Sequence, residues 1–324
     1  MHRMLTLLFA AAVLVIPSAV AEDHDEDAWS YELDVTDGKA EVQMERERGE
    51  DEGEISFEYD RDEAKVSYGY EREANGTEVE AEMEVQFHQL VEYEDENGND
   101  RYDPGEEILG GYTLALESEE RLTGDAEKAD WGAITRTSHT SEDGVPGHKF
   151  SSTARLDEGT LTFDFYVHGD EATLGAAEIE ATELKLDIRI QDYPYQSDTS
   201  SLALLVEVGS EAEIEEDDDV ERDEDGVRAQ AADAQLSFAW KDFATVDGSD
   251  EDVGTTSLEV ETERSAGEYE HEELFVFSYP RGDDVVHDPT MGVATQAGAA
   301  ATPAPAMALA VLALFAGALV ARRD

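Results

Sequence analysis

Oxygen-bearing side chains recur at a regular spacing in the stretch DENGNDRYDPGE, which runs from Asp95 to Glu106. Positions 1, 3, 5, 9 and 12 of this twelve-residue window are Asp95, Asn97, Asn99, Asp103 and Glu106. Carboxylate and amide oxygens at these positions suit a hard divalent cation, and the backbone carbonyl at position 7, that of Arg101, completes the ligand set. The sequence therefore predicts a structural Ca²⁺ site formed by these six residues.

The two asparagines are the most informative part of this pattern. The chain contains only three asparagines against 81 acidic residues, so amides at two ligand positions are not expected from composition. Mixing amides with carboxylates reduces the repulsion between the ligands of a cation. The alternative interpretation is a polar β-hairpin loop in which Asn97-Gly98 supplies the turn.

The stretch resembles the calcium loops that occur in β-domains of secreted proteins, of the type DxNGNxxxDPGE. It departs from an EF-hand loop at position 6, where Asp100 replaces glycine, and in its flanks, which alternate like strands. The resemblance implies that calcium fixes the loop and joins two strands. An extracellular affinity of about 10⁻⁴–10⁻³ M suffices for that role.

A possible modification site and a second acidic segment also have chemical interpretations. Asn75 begins the sole N-glycosylation sequon, Asn-Gly-Thr, and is the predicted attachment site, although Asn-Gly also suits a two-residue hairpin turn. A second candidate cation cluster consists of Asp283, Asp284, His287 and Asp288. Acidic turn chemistry before a proline explains that cluster equally well.

Catalytic motifs do not stand out. The sequence contains no HExxH, no GxSxG and no phosphate-binding glycine loop. His88 and His168 fall on predicted strands, where a structural role is the default expectation. Paired carboxylates can hydrolyse glycosides, but no pair can be singled out among 81 acidic residues.

Apolar residues alternate with polar ones through most of the chain, which predicts strands. Examples are WSYELDV from Trp29, EISFEYD from Glu54 and the long run EVEAEMEVQFHQLVEYE from Glu78. We expect an all-β fold, namely an antiparallel β-sandwich, either one large or two smaller with a boundary near 213–227. Single helical turns are expected at 124–130 and 177–182.

The two ends of the chain have the composition of an export signal and an anchor. Residues 1–21 read as a signal peptide. Residues 306–321 are apolar and are followed by two arginines, which predicts a transmembrane helix with 322–324 in the cytoplasm. Residues 22–288 are then the extracellular body and 289–305 a linker.

The formal net charge of -59 limits the environment and the partners of this protein. Such a charge repels itself in dilute buffer and is screened in molar salt, where the Debye length is about 3 Å. The acid excess, the six lysines and the export signal resemble those of secreted, C-terminally anchored surface proteins of halophilic archaea. Nucleic acid is excluded as a partner because this surface repels phosphate.

The sequence therefore predicts a membrane-anchored surface protein that serves as a structural or recognition module of the cell envelope. Envelope components or surface glycans are the expected partners, besides the membrane itself. The alternative is an extracellular glycosidase or peptidase.

Overall fold

The structure is a computed structural model that describes residues 30–48, 51–74, 77–115, 122–123, 126–175, 177–213, 220–223, 226–231, 234–265 and 268–295. The regular structure of these residues is strand throughout, and they include no helix of the length and hydrophobicity needed to cross a membrane. The predicted signal peptide (1–21), transmembrane helix (306–321), cytoplasmic tail (322–324) and glycosylation site Asn75 lie outside the described residues.

The first twelve strands are β1 Ser30–Val35, β2 Lys39–Arg48, β3 Asp51–Asp60, β4 Lys65–Ala74, β5 Thr77–Glu94, β6 Ile108–Thr113, β7 Glu127–Lys128, β8 Asp130–Trp131, β9 Thr135–Thr140, β10 Pro146–Leu156, β11 Gly159–His168 and β12 Ala172–Leu174. The others are β13 Ala177–Ile179, β14 Glu183–Gln191, β15 Ser200–Glu213, β16 Val220–Asp223, β17 Gly226–Ala231, β18 Ala234–Ala239, β19 Phe243–Val246, β20 Ser249–Asp252, β21 Gly254–Ser265, β22 Glu268–Tyr279, β23 Asp284–His287 and β24 Thr290–Thr295.

These strands form two large sheets and one small hairpin. The first sheet has the order β1-β2-β3-β4-β5-β15-β22-β21, with β6 beside β5 and β7 beside β6. The second has the order β16-β17-β18-β24-β14-β11-β10-β8, with β9, β23, β19 and β20 attached. The hairpin is β12-β13. Pairing is antiparallel except between β6 and β7, so the prediction of an all-β antiparallel fold is confirmed.

Aromatic side chains from both sheets meet in one hydrophobic core. The Phe57 ring of the first sheet lies 5.6 Å from that of Phe165 in the second, measured between centroids, and the Phe87 and Phe163 rings are 4.6 Å apart. Burying each such side chain stabilises the fold by about 1.5–3 kcal/mol. The period-two alternation read from the sequence is therefore the alternation between core and outer face.

The segment 213–227 does not divide the sheets into an earlier and a later group of strands. Each sheet combines strands from both sides of this segment, since β15 pairs with β22 in the first and β14 with β24 in the second. The described strands therefore share one two-layer arrangement.

Three short segments differ from the sequence expectation. Residues 127–128 and 130, expected within the helical turn at 124–130, form β7 and the start of β8. Residues 177–179, expected within a helical turn, form β13. Residues 290–295, expected in the linker, form β24, which pairs with both β14 and β18. Met291 and Val293 are buried there, so the low charge of this segment reflects burial rather than a linker.

A β-bulge in β5 changes which residues face the core. Phe87 pairs with Val206 and Gln89 with Leu205, so His88 is an extra residue. Before it, odd-numbered residues such as Phe87 face the core; after it, Leu90 does. Val91 and Tyr93 therefore point outward, into a second small apolar cluster that Tyr102 joins.

Candidate functional site

The predicted calcium loop connects β5 to β6 and folds back on the outer face of the first sheet. The Glu94 amide donates a hydrogen bond to the Glu107 carbonyl at 3.0 Å and closes its base. Tyr102 packs edge-on against Tyr93 with ring centroids 5.4 Å apart, and its amide donates to the Ser278 hydroxyl at 2.8 Å. The loop is therefore anchored to both β5 and β22.

Asp95 organises the first half of the loop. Its Oδ1 accepts the Gly98 amide at 2.8 Å and the Asn99 amide at 3.3 Å, and its Oδ2 accepts the Asp100 amide at 2.8 Å. Gly98 and Asp100 both have a left-handed backbone, with φ of 70° and 58°. Asp100 thus supplies the conformation for which an EF-hand uses glycine, because aspartate tolerates this region better than most residues.

The second half of the loop brings the remaining predicted ligands together. The Nδ2 atoms of Asn97 and Asn99 donate to Asp103 Oδ2 at 2.7 and 2.9 Å. Asn97 Nδ2 also lies 3.5 Å from Glu106 Oε1, and Glu106 Oε2 accepts the Asp103 amide at 2.9 Å. The exposed Arg101 donates its amide to Asn99 Oδ1 at 3.0 Å.

These contacts define what the loop can do chemically. Across the described residues, no three His, Asp or Glu side chains are arranged to hold a metal ion by themselves. A cation here would therefore need the amide oxygens as well. Turning the Asn97 amide about its terminal torsion places Oδ1 where Nδ2 now donates, since the two ends of the group have the same shape. The same turn at Asn99 costs the hydrogen bond that its Oδ1 accepts from the Arg101 amide.

A cleft of about 310 Å³ lies on the outer face of the second sheet, beneath the β12-β13 hairpin. The hairpin packs its apolar residues on Tyr166, and the Thr173 carbonyl accepts the Glu142 amide at 3.0 Å. The lining includes His139, Tyr166, Leu174, Lys185, Asp187 and Asp288.

Lys185 is the central charge of this cleft and is only 5% exposed. Its ammonium donates to Asp187 Oδ1 and lies 3.5 Å from Asp288 Oδ1. Lys241 approaches the other oxygen of Asp288, also at 3.5 Å. Burial raises the pKa of Asp187, and the neighbouring Lys185 ammonium partly offsets this. Both carboxylates therefore have an ammonium partner.

Aromatic and imidazole rings form the adjoining wall. The Lys185 and Lys149 ammonium groups lie 5.4 and 5.8 Å from the Tyr166 ring centroid. His139 meets Tyr166 edge-on at 5.0 Å, and its Nδ1 lies 3.3 Å from His168 Nε2. Burial lowers the pKa of both histidines, that of His168 to about 4, so both are neutral at neutral pH.

The sequence analysis did not single out this cleft. Its residues come from β9, β11, β12, β14, β23 and the segments that follow β9, β12 and β23, and no local spacing connects them. Lysine scarcity was the available signal: three of the six lysines in the chain, Lys149, Lys185 and Lys241, lie in or beside it.

The second candidate cation cluster is not brought together. His287 is fully buried and contacts the Tyr279 hydroxyl and the Lys241 carbonyl, each at 3.0 Å. The amides of Asp283 and Asp284 instead donate to Asp247 Oδ1. Asp288 belongs to the cleft.

Comparison with known proteins finds no protein-family model that matches the chain and no curated protein with significant similarity to it.

Proposed function

We propose that this chain is a membrane-anchored surface protein of a halophilic archaeon, with a β-sandwich body that acts as a structural or recognition module of the envelope. The signal peptide, the anchor and the acid excess of the sequence support the location. A folded body with an extensive core supports a module, because a charge-rich tail without a core stays disordered.

Calcium binding at 95–106 is the specific chemistry in this proposal. The observation that carries it is that the Asn97 and Asn99 amides share Asp103 Oδ2, while the Asn97 amide also lies 3.5 Å from Glu106 Oε1. A cation beside Asp103 Oδ2 replaces the two donated amide hydrogens and gains the amide oxygens in exchange. Tyr102 and Ser278 then connect the ion to the sheet, so the ion stabilises the β5–β6 connection.

A thermal melt tests this proposal. The full chain, in mild detergent and molar potassium chloride, is melted with calcium and then with a chelator, beside the variant Asp95→Ala/Glu106→Ala. Calcium at a hundred times its Kd stabilises the native state by about 2.7 kcal/mol. We expect a calcium-dependent rise in Tm for the wild type and none for the variant.

Glu251→Ala/Asp252→Ala is the matched control. Both residues are exposed on β20, and the charge change is the same. This control should respond to calcium like the wild type. An equal calcium response in the loop variant would instead identify the loop as an acidic hairpin.

A hydrolase is the second candidate function, because two carboxylates of the cleft, Asp187 and Asp288, lie beside the same Lys185 ammonium. Burial raises the pKa of Asp187, as in a general acid. The direct contact with Lys185 acts in the opposite sense and favours the ionised form. Release of reducing ends from a neutral polysaccharide, lost in Asp187→Asn, would favour the hydrolase over the module.

A further inference from the structure

We propose that the cleft under the β12-β13 hairpin binds a neutral sugar ring. This inference builds on the proposed recognition module and names its ligand class, but it does not depend on the calcium loop. The cleft volume of about 310 Å³ lies at the lower end of the range of small-molecule pockets, about 300–1,000 Å³.

The polar groups of the cleft match the chemistry of hydroxyl groups. Each sugar hydroxyl donates one hydrogen bond and accepts others. Asp187 and Asp288 offer acceptors, and the Lys185 ammonium offers donors within the same small volume. Hydrogen bonds to charged groups are stronger than those between neutral groups, so these three residues can fix the orientation of the ring.

The apolar part of the cleft fits the carbon faces of the same ligand. Leu174 and Val286 line it together with Tyr166. Pockets that bind small molecules combine such apolar walls with a few convergent polar groups. A sugar ring has both kinds of surface, with hydroxyls at its edge and C–H groups on its faces.

Charge balance selects a neutral ligand over a charged one. Of the three carboxylates that line the cleft, Asp187 and Asp288 already have an ammonium neighbour, since Lys185 contacts both and Lys241 contacts Asp288, whereas Glu142 is exposed. A cationic ligand would have to displace a lysine, and an anionic ligand would meet the Asp187 and Asp288 carboxylates at close range. In molar salt long-range attraction is screened, while hydrogen bonds within a cleft persist.

Binding is tested by isothermal titration of the full chain in mild detergent and molar potassium chloride. The probes are glucose, galactose, mannose and N-acetylglucosamine, with glucuronate and inorganic phosphate as charged comparators. We expect at least one neutral sugar to bind and the charged probes not to bind. Asp288→Asn should weaken that binding about tenfold to a hundredfold, the value of a hydrogen bond to a charged group.

Thr140→Trp provides a second variant that leaves the ion pairs intact. Thr140 is exposed on β9 and lines the cleft, so tryptophan should fill it and abolish binding without lowering Tm. Ser138→Trp is the matched control, since Ser138 is exposed on the same strand, two residues away, and should bind as the wild type does.

Three results would overturn the proposal: no neutral sugar binds, only the charged probes bind, or Thr140→Trp binds as well as Ser138→Trp. The first result would leave the lysines and carboxylates as an ion-pair network that binds no neutral sugar. The second would show that the protein selects charged ligands, and the third would place the sugar outside the cleft. The calcium proposal fails separately, because Asp95→Ala/Glu106→Ala should retain sugar binding whatever its response to calcium.

Discussion

Replacing Glu92 with glutamine should destabilise this protein although the side chain keeps its shape. Glu92 is 0% exposed, and its carboxylate holds the connection between β14 and β15. The Gln196 amide donates to both of its oxygens, at 2.8 and 2.9 Å. The Ser197 amide donates to Oε1 at 3.0 Å, and the Ser200 hydroxyl donates to the same atom.

The expected cost follows from these four contacts. Glutamine can place its oxygen at Oε1, where three neutral hydrogen bonds replace three bonds to a charge. Since a bond to a charged group is worth about 1.5–3 kcal/mol and a neutral one about 0.5–1.5 kcal/mol, each loses about 1 kcal/mol. The side-chain nitrogen of the new glutamine then takes the place of Oε2, so that two hydrogen-bond donors, this NH2 group and the Gln196 N–H, face each other. Relief from burying a charge offsets part of this loss. We expect a net loss of about 2–4 kcal/mol.

The measurement is a pair of thermal melts in molar salt with Glu94→Gln as the control. Glu94 is two residues away on the same strand, half-buried, and accepts the exposed Thr199 hydroxyl at 2.9 Å. At roughly 2–4 °C per kcal/mol, Glu92→Gln should lower Tm by about 4–16 °C. The control should stay within about 0.5 kcal/mol of the wild type. Hydrogen exchange at the Gln196 and Ser197 amides should also accelerate in Glu92→Gln. Equal Tm values for the two variants would refute the assigned role of Glu92.

Three further outcomes are expected. Gly147→Ala should lower the free energy of unfolding by about 1–3 kcal/mol, because the new Cβ would lie 2.4 Å from the His168 ring. Gly209→Ala is the control and should be near neutral, because its Cβ would meet nothing within 4 Å. Equal denaturant midpoints for the two variants would contradict this. Burial lowers the pKa of His287 from 6.5 to about 4, so the unfolded chain binds a proton that the folded chain does not, and stability falls as pH drops through that window. His287→Gln should show a smaller drop in Tm between pH 7 and pH 4 than the wild type, and an unchanged drop would exclude His287 as a cause. Lowering the salt from molar to about 0.1 M, where the Debye length reaches about 10 Å, should lower Tm because charges summing to -59 then repel one another; a Tm independent of salt would refute this.

Strand positions were predictable wherever alternation was strong. Ile55, Phe57 and Tyr59 alternate in the sequence and are all buried in β3, as expected. The alternation of apolar and polar residues did not reveal strands that are short or that contain few large apolar side chains. The large buried side chains described in β24 are Met291 and Val293, on either side of a glycine, and β13 has three residues, so neither strand has an alternating run long enough to recognise.

The two candidate sites differ in the same way. The contacts among the predicted calcium ligands join residues within one twelve-residue window, so spacing alone pointed to Asp95–Glu106. The cleft joins His139, Tyr166, Lys185 and Asp288, which are far apart in the chain. No sequence pattern connects them, because strand order decides which side chains become neighbours.

The sequence by itself determined the strand-forming alternation, the acid-rich composition and the candidate ligand spacing. These are local properties, set by the backbone period of two and by the chemistry of neighbouring residues. Only the tertiary structure decided which strands pair, where the extra residue His88 reverses the faces of β5 and how the hairpin covers Lys185. Pairing and packing depend on partners distant in the chain, and their free energy arises only when those partners meet.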